Sequence, residues 1–217
     1  MRIAILGGTA GLGKGLAARL AVAGHEVSIG SRSGERARSV VEELNSMIDR
    51  PIKGGLNEES VTDAEVIIVA VPFTGIYEVI KAVRDRIQSG AVVVSAVVPL
   101  ASELGGNMAY VELPEGSAAE AIARLLGNRA HVVSAFTNLP ANPLLRLDRP
   151  LEYDVVVCGE REPVGVVSRV VESIERLRAL YGGPLRYSRV TERLTELLIW
   201  FNVNYKSDDA GVRFVGV

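Results

Sequence analysis

The sequence predicts an α/β fold with a doubly wound, mostly parallel sheet and a small C-terminal extension. Short apolar runs alternate along the chain with longer amphipathic stretches. Several runs are continuous and β-branched, such as Val66–Val71, which is typical of parallel strands buried on both faces. A glycine-rich turn joins the first run to the first amphipathic stretch. Right-handed crossovers between parallel strands then place helices on both faces of one sheet.

The predicted strands are these short apolar runs. The first, Arg2–Leu6, is followed directly by glycines, and Pro72 ends the most hydrophobic run. In chain order we expect strands at 2–6, 26–30, 51–55, 66–71, 91–95, 131–134 and 153–158, with a short final strand at 212–214.

The predicted helices are the amphipathic stretches between the strands. Leu12, Leu16 and Leu20 recur at helical spacing before Gly24. Ser117, with a glutamate three residues later, predicts a capped helix start. In chain order we expect helices at 12–23, 35–48, 76–87, from 117 onward, 164–177 and 188–205.

Length and composition indicate an ordinary globular protein. Of 217 residues, 48% are hydrophobic and 23% are charged, which argues against disorder. The 24 basic and 26 acidic residues leave a net charge of −2, without the positive excess that nucleic-acid binding needs. No apolar run approaches the ~20 residues that span a bilayer, and no signal peptide is visible. We expect a cytoplasmic protein whose partners are small molecules, not nucleic acid or a membrane.

The segment Gly7–Gly13 carries the clearest functional signal. Glycines between a first strand and a first helix let the backbone approach a pyrophosphate, whose charge meets the helix N-terminus. A strict G-x-G-x-x-G pattern uses Gly8 and Gly13, with Ala10 in place of the middle glycine. The extra methyl either pushes the phosphates outward or passes the role to Gly11. The pattern predicts a Rossmann-type dinucleotide site; the alternative is a turn that needs glycines only for packing.

The end of the second strand predicts the dinucleotide. NAD-selective folds place Asp or Glu there to accept the ribose hydroxyls. This chain has Ser31 and Arg32, with Arg36 one helical turn further. A hydroxyl and two guanidinium groups suit a dianionic 2′-phosphate, so the sequence favours NADP over NAD. The alternative is that both arginines are merely solvated.

No residue set indicates metal or acid–base catalysis. His25 and His131 are predicted at the edge of the sheet away from the ligand, where they are structural. Cys158 lies in an apolar strand and is expected to be a small buried hydrophobe. Because there is one cysteine, no internal disulfide can form.

A short-chain dehydrogenase is one rival interpretation. Gly7, Gly11 and Gly13 match the glycine spacing of that class, and Tyr77-x-x-x-Lys81 imitates its catalytic pair. The pair follows the fourth strand, one βα unit too early, and no serine precedes it at a suitable distance.

Two further rivals use the same nucleotide site. A non-enzymatic NADPH sensor would bind the dinucleotide without oxidising it. An imine reductase of the pyrroline-carboxylate type would need a long helical dimerisation domain, for which the C-terminal part is too short in helices.

The sequence resembles the archaeal coenzyme F420-dependent NADP oxidoreductases, which pass a hydride between a deazaflavin and NADP. The resemblance covers nearly the whole chain. It is carried by Met1–Thr9, Gly13–Leu16, Gly24–Val27, Gly30–Arg32, Val71-Pro72, Val98-Pro99, Val133–Ala135, Leu139–Ala141, Val157–Gly159, Gly183–Leu185, Ser188-Arg189, Glu192, Leu194-Thr195 and Phe201-Asn202.

The resemblance implies two coenzyme sites, a homodimer, and hydride transfer by positioning without a catalytic side chain. It implies NADP contacts at Thr9, Ala10, Gly11, Leu12, Ser31, Arg32, Arg36, Phe73, Tyr77, Leu100 and Ala141. It implies a second-coenzyme pocket at Thr137, Leu139, Arg193, Thr195 and Ala210. We expect residues 1–115 to form the NADP-binding domain and residues 116–217 the extension that completes the pocket.

Four positions depart from the family pattern in the second pocket. Thr137 replaces a histidine, Leu139 an isoleucine, Arg193 a serine and Ala210 a leucine. Two of these changes remove bulk, so either F420 or a flavin is the second redox partner. An NADPH-dependent flavin or ferric reductase remains the alternative enzyme.

The start of the last helix has two interpretations. Ser188, Arg189, Arg193 and Thr195 either hold the anionic tail of a deazaflavin or serve as a cap and a solvated face. Further along this helix, aromatic side chains such as Trp200 are expected to fill the core or a dimer interface.

Overall fold

The computed structural model describes residues 1–217 and contains one eight-stranded sheet with helices on both faces. The strands are β1 (Arg2–Leu6), β2 (Glu26–Ser31), β3 (Lys53–Leu56), β4 (Val66–Val69), β5 (Val92–Ser95), β6 (His131–Ser134), β7 (Asp154–Cys158) and β8 (Arg178–Gly183). The helices are α1 (Gly11–Val22), α2 (Gly34–Asn45), α3 (Asn57–Ser60), α4 (Ile76–Val83), α5 (Ala118–Leu126), α6 (Arg161–Glu172) and α7 (Ser188–Tyr205). The predicted α/β fold is confirmed.

The strand order is β3-β2-β1-β4-β5-β6-β7-β8, so the order reverses between β1 and β4. Neighbouring strands are parallel except β6 and β7. Leu6 pairs with Val69, Val69 with Ser95, and Ser95 with Ser134. Four strands therefore end together, at what we call the carboxyl edge. Strand β7 is antiparallel to β6 and its last residue, Cys158, pairs with Ser134, so β7 begins beyond the carboxyl edge.

Two apolar clusters hold the helices against the sheet. The larger has 31 buried residues and includes Val27 and Ile29. The smaller has 16 buried residues and includes Ala4 and Leu6 on the opposite face. Since burying one Val, Leu or Ile side chain contributes about 1.5–3 kcal/mol, both faces of the sheet are fixed by packing.

Four predictions of secondary structure were wrong or incomplete, and the first three concern α3, β8 and α6. The short helix α3 was not predicted. The edge strand β8 was also not predicted, because it carries Arg178 and ends in two glycines. Helix α6 begins at Arg161, earlier than predicted, because Pro163 in a first turn needs no N–H acceptor. It also ends earlier, at Glu172. The other predicted helices and strands end within about four residues of the observed bounds.

The predicted final strand at 212–214 is not formed. The tail makes one backbone hydrogen bond to the sheet, from Asp154 N–H to Val212 O at 2.8 Å. An ion pair holds the rest of it: the buried Asp154 carboxylate accepts from Phe214 N–H at 2.6 Å, and Arg178 donates to Phe214 O at 2.7 Å. Side-chain bonds thus replace a strand ladder.

The sheet runs without interruption across residue 115, since β5 and β6 pair directly. The division into residues 1–115 and 116–217 stays a prediction. Among the helices, none is both long and apolar enough to cross a membrane.

Candidate active site

The loop after β1 lies at the point where the strand order reverses, which is where α/β sheets bind ligands. Gly7 has a φ of +85°, and a Cβ there would lie 2.6 Å from Ala70 O in the loop after β4. A Cβ at Gly13 would lie 2.6 Å from Gly7 O. Both glycines are thus required for packing, as the alternative interpretation of the turn proposed.

Packing does not explain Gly11. It has a φ of +48°, and a Cβ there would meet no atom within 4 Å. Helix α1 begins at this residue after the extended Ala10, which gives no side-chain cap. The N–H groups of Gly11, Leu12 and Gly13 have no acceptor in the protein. The loop presents free donors and the positive helix end to open space, beside the half-buried Thr9.

The end of β2 carries two unpaired guanidinium groups. Arg32 and Arg36 are exposed, and their side chains form no hydrogen bond or ion pair with the protein. Ser31 Oγ accepts from Ser33 N–H at 3.2 Å, and Ser33 caps α2 by accepting from Arg36 N–H at 3.3 Å. Other arginines, such as Arg178, are bonded to carboxylates. The charge at this tip is free for an anionic ligand.

The loops after β4 and β5 meet at the same carboxyl edge. Phe73 is half-buried in a short 3₁₀ turn, and Tyr77 is exposed on α4. Glu103 accepts from Thr74 N–H at 3.4 Å, which ties the two loops together. Burial raises the pKa of Glu103 above its ordinary value. Leu100, half-buried, forms a β-bridge with Tyr110.

The second residue of the loop after β6, Phe136, is strained, since it is buried at a φ of +65°. The next residue, Thr137, is buried, and its carbonyl accepts from Thr195 Oγ1 at 2.7 Å. Leu139 is also buried, and Ala141 is half-buried. The Thr137 hydroxyl is buried without a hydrogen-bond partner. This loop is thus fastened to α7 and retains one free polar atom.

Arg19 is a functional candidate that the sequence analysis missed. It is buried on α1 and donates to Leu144 O at 2.8 Å and to Arg146 O at 2.6 Å. Burial lowers its pKa from the ordinary value. Its role is to hold the turn after Ala141 against α1. The only sequence signal for a buried Arg19 was its position on the inner face of the otherwise apolar part of α1.

Helix α7 and the tail close the far side of the site. Arg193 pairs with Glu112 at 2.7 Å, and its guanidinium lies 5.1 Å from the Tyr110 ring centre. Ala210 is half-buried, and its N–H donates to Asn202 Oδ1 at 2.9 Å. The tail is thereby folded back onto the end of α7.

Two residues at the start of α7 are bonded to α5 and its cap. Ser188 is buried and donates to Ser117 Oγ at 2.7 Å. Arg189 forms two hydrogen bonds to Glu120, at 2.8 and 2.7 Å. These bonds join α7 to α5 and favour the interpretation of Ser188 as a cap and Arg189 as a surface residue; a role as anchors for a coenzyme tail stays a prediction.

Glu192 was quoted in the resemblance but given no role, although it is the most perturbed carboxyl group of the site. It is fully buried, and burial raises its pKa to about 7. It accepts from Ala118 N–H at 2.9 Å, from Ala119 N–H at 3.1 Å and from Tyr110 OH at 3.2 Å. Its spacing from Ser188 and Thr195 places all three on one helix face, which is the signal that could have found it.

The remaining reactive side chains are structural. His25 contacts Ser173 Oγ at 2.9 Å, and His131 contacts Glu160 at 3.3 Å, both away from the carboxyl edge. Cys158 is buried, and burial raises its pKa to about 11, which confirms it as a small buried hydrophobe. The structure contains no group of three or more His, Cys, Asp or Glu side chains placed to hold a metal ion. Trp200 is 54% exposed, so of its two expected places the core is excluded and a dimer interface stays a prediction.

Two cavities, of about 400 and about 680 Å³, open at the opposite edge of the sheet. Acidic and basic side chains mix in the first, and the second is lined partly by the loop at Gly127 and by His131. Neither cavity is lined by the glycine loop, by Arg32 or by Arg36.

These features define the class: a doubly wound α/β protein with a dinucleotide-type loop at its switch point. A family model described as "NADP oxidoreductase coenzyme F420-dependent" matches residues 2–99. The chain is 38% identical over 223 residues to the F420-dependent NADP reductase of Methanothermobacter marburgensis, covering 100% of this chain and 99% of the relative. It is 36% identical over 224 residues to that of Methanocaldococcus jannaschii, with 100% and 99% coverage. The chain belongs to the family of F420-dependent NADP reductases.

Solved structures share the fold. One from Arthrobacter sp. FB24, assigned by name to the F420-dependent NADP reductases, has a TM-score of 0.82 at 21% identity, with 99% of both chains covered. A pyrroline-5-carboxylate reductase from Coxiella burnetii has a TM-score of 0.57 at 14% identity, over 83% of this chain and 58% of that chain. The second comparison leaves a large part of the longer reductase unmatched.

Proposed function

We propose that this protein is an oxidoreductase that transfers a hydride between NADP(H) and coenzyme F420. The observation that carries the proposal is the 36–38% identity, over the whole chain, to proteins named F420-dependent NADP reductase. When bound, the two coenzymes supply the redox chemistry: one ring carbon gives up a hydride and the other accepts it. The protein binds and orients the two rings and excludes water.

The first proposed role is to hold NADP at the carboxyl ends of β1, β2 and β4, where the strand order reverses. The loop from Thr9 to Leu12 would bind the pyrophosphate through its free N–H groups, which lack any acceptor within the protein. Ser31, Arg32 and Arg36 would hold the 2′-phosphate. Support comes from the two unpaired guanidinium groups and from the capped start of α2 beside them.

The second proposed role is to seat the nicotinamide at the carboxyl ends of β4, β5 and β6. Phe73, Tyr77, Leu100 and Ala141 would provide its contacts. Phe73, Leu100 and Ala141 lie in loops that follow three adjacent strands, and Tyr77 lies at the start of α4. All four are apolar or aromatic. An apolar surface of this kind excludes the water that would compete for a hydride.

The third proposed role belongs to the second-coenzyme pocket, at Thr137, Leu139, Arg193, Thr195 and Ala210. The unpartnered Thr137 hydroxyl supports it, because a buried donor without a partner can bond a polar atom of a ring. Thr195 fixes the loop that carries this hydroxyl. Leu139 is buried and would shape the loop from behind. No side chain is needed as acid or base for the hydride step itself.

We further propose a cytoplasmic homodimer in which residues 1–115 bind NADP and residues 116–217 complete the second pocket. Apolar side chains lie exposed along the outer face of α7. In the proposed dimer, each subunit would cover these side chains of its partner. They are Val190, Leu197, Trp200, Val203 and Tyr205.

An anaerobic stopped-flow assay tests the proposal. NADPH oxidation would be followed in parallel against F420, FMN and FAD. We expect fast reduction of F420 and slow or no reduction of the flavins. Reduction of flavins alone would contradict F420 as the partner. Tight NADPH binding without oxidation by any of the three would contradict the enzymatic function.

A further inference from the structure

Tyr110 lies between the two proposed coenzyme sites and is bonded to both sides. On one side, its segment runs antiparallel to the segment after β5: Ala101 N–H donates to Ala109 O at 2.8 Å, and Val111 N–H donates to Pro99 O at 2.9 Å. The central pair of this short ladder is Leu100 and Tyr110. The Tyr110 backbone is therefore fixed to the nicotinamide wall, by which we mean Pro99–Ala101.

On the other side, Tyr110 contacts α7 at three points. Its N–H donates to Glu196 Oε2 at 3.1 Å, and its hydroxyl donates to Glu192 Oε2 at 3.2 Å. The Arg193 guanidinium covers the face of its ring, 5.1 Å from the ring centre. These positions on α7 precede and follow Thr195, which holds the second-coenzyme loop. Tyr110 is thus fixed to the second-coenzyme wall as well.

Glu192 makes this second attachment rigid. Its carboxylate is fully buried and also accepts from Ala118 N–H and Ala119 N–H at the start of α5. A buried group with this many bonds has one arrangement, because any other leaves donors unpaired in a low-dielectric interior. The Tyr110 hydroxyl therefore binds to an anchored atom and not to a mobile surface side chain.

We infer that Tyr110 is a positioning residue that sets the separation of the nicotinamide wall and the second-coenzyme wall. The inference rests on the proposed function. Hydride transfer requires the two ring carbons at about 3–3.5 Å, and a misplacement of about 1 Å can lower the rate about 100-fold. A bond that joins the two walls controls this distance without touching either ring.

The variant Tyr110→Phe tests this inference, because it removes only the hydroxyl and keeps the ring and the backbone ladder. Single-turnover reduction of F420 by NADPH would be measured, together with the dissociation constant of each coenzyme alone. We expect the hydride-transfer rate to fall about tenfold while each dissociation constant changes less than about twofold. We also expect a larger steady-state deuterium isotope effect with NADPH labelled at the transferred position, because chemistry becomes slower relative to product release.

Two further variants sharpen the test. Tyr181→Phe is the matched control: Tyr181 lies on β8 with its ring against Arg161, and it touches neither wall. It should match the wild type. If the Tyr110 hydroxyl acts through Glu192, the two substitutions should not add. The double variant Tyr110→Phe/Glu192→Gln should then transfer hydride no more slowly than the slower of the two single variants.

Each outcome has one meaning. A wild-type rate and isotope effect in Tyr110→Phe would overturn the inference, and so would a rate loss that follows the loss of coenzyme binding. The wild-type protein tests the proposed function separately, since its failure to reduce F420 would overturn that function. If the wild-type protein reduces FMN instead of F420, the ratio of the Tyr110→Phe rate to the wild-type rate, measured with FMN, tests the inference. If the wild-type protein reduces neither F420 nor FMN, the proposed function and the inference both fail.

Discussion

The hydroxyl of Thr195 on α7 donates a 2.7 Å hydrogen bond to the carbonyl oxygen of Thr137 in the loop after β6. This bond joins two residues that the resemblance assigns to the same pocket although 58 positions separate them in the chain. It also satisfies a carbonyl group beside a buried side chain.

Replacing Thr195 by Val should therefore loosen the second-coenzyme loop. A buried carbonyl left without its donor costs about 1–3 kcal/mol, so we expect the KM for F420 to rise about tenfold. Thr195→Ser keeps the hydroxyl and should stay within about twofold of the wild type. The dissociation constant for NADPH should not change. Thr62→Val is the control, because Thr62 makes a similar bond to Glu58 O on the exposed far side; an equal effect there would contradict the prediction.

The unpaired guanidinium groups at the end of β2 lead to a prediction on coenzyme choice. Arg32→Asp should weaken NADPH binding about 10- to 100-fold, because a charged hydrogen bond contributes about 1.5–3 kcal/mol and the new carboxylate repels the 2′-phosphate. NADH binding should improve or remain unchanged. Titration of protein fluorescence with both dinucleotides measures this. Arg86→Asp changes the same charge on an exposed arginine that follows α4. If Arg86→Asp lowers NADPH affinity as much as Arg32→Asp does, the effect is general electrostatics and not a 2′-phosphate site.

Two glycines of the loop after β1 allow the effect of packing to be measured apart from the effect of ligand binding. At Gly7, alanine would meet the Ala70 carbonyl at 2.6 Å in a left-handed conformation, so Gly7→Ala should yield little folded protein. At Gly11, alanine meets no protein atom, and only its φ of +48° is unfavourable, by about 1–2 kcal/mol. We expect Gly11→Ala to fold and to bind NADPH at least tenfold more weakly. Circular dichroism with a binding titration checks both, and normal NADPH affinity in Gly11→Ala would contradict the assignment of the loop.

How far the sequence predicts this fold depends on what holds each element. Helix α7 was predicted with its observed bounds, and β6 likewise, because local apolar spacing decides both. Strand β8 was missed because its pairing with β7, and not its own composition, makes it a strand. The tail at 212–214 was misassigned because side chains of β7 and β8, which lie far from it in the sequence, hold it in place of a strand ladder.

The candidate site shows the same division. The free arginines and the turn at Gly11 could be recognised locally. In contrast, Ser188 and Arg189 have the chemistry of an anion site but are bonded to Ser117 and Glu120, more than 60 positions away. The bridge at Tyr110 depends on three segments that meet only in the folded chain, so no local pattern reveals it.

The ion pair between Asp154 and Arg178 leads to a prediction on the tail. Arg178 first, and then the Phe214 N–H, hold the pKa of Asp154 below its ordinary value. A lowered carboxyl pKa contributes stability above the ordinary pKa that is lost as the pH falls through the folded-state pKa. Asp154→Asn should therefore lower the Tm by a few degrees at pH 7, and the difference should shrink in acid. Limited proteolysis should remove the tail faster in this variant, and equal cleavage rates would contradict the role of the pair. Asp63→Asn, at an exposed carboxylate beyond α3, is the control.

The buried Glu192 predicts the opposite dependence on pH. Burial raises its pKa from 4.5 to about 7, although its two backbone donors and Tyr110 OH act against this. Glu120 adds repulsion, and the neighbouring Cys158 is held in its neutral form by burial. A raised carboxyl pKa means that the folded state binds the proton more tightly than the unfolded chain does. The associated stability is complete below about pH 4.5 and is lost as the pH rises through about 7, and it amounts to about 3 kcal/mol.

Urea unfolding at pH 5, 6, 7 and 8 measures this dependence. The wild type should lose stability across that range, and Glu192→Gln should show a flatter profile because the amide does not titrate. Glu78→Gln, at an exposed position on α4, should keep the wild-type profile. If the profiles of the wild type and Glu192→Gln remain parallel, Glu192 is already ionised throughout the range. Its bonds to α5 and Tyr110 would then outweigh its burial, and the anchor at Tyr110 would be stronger than the raised pKa indicates.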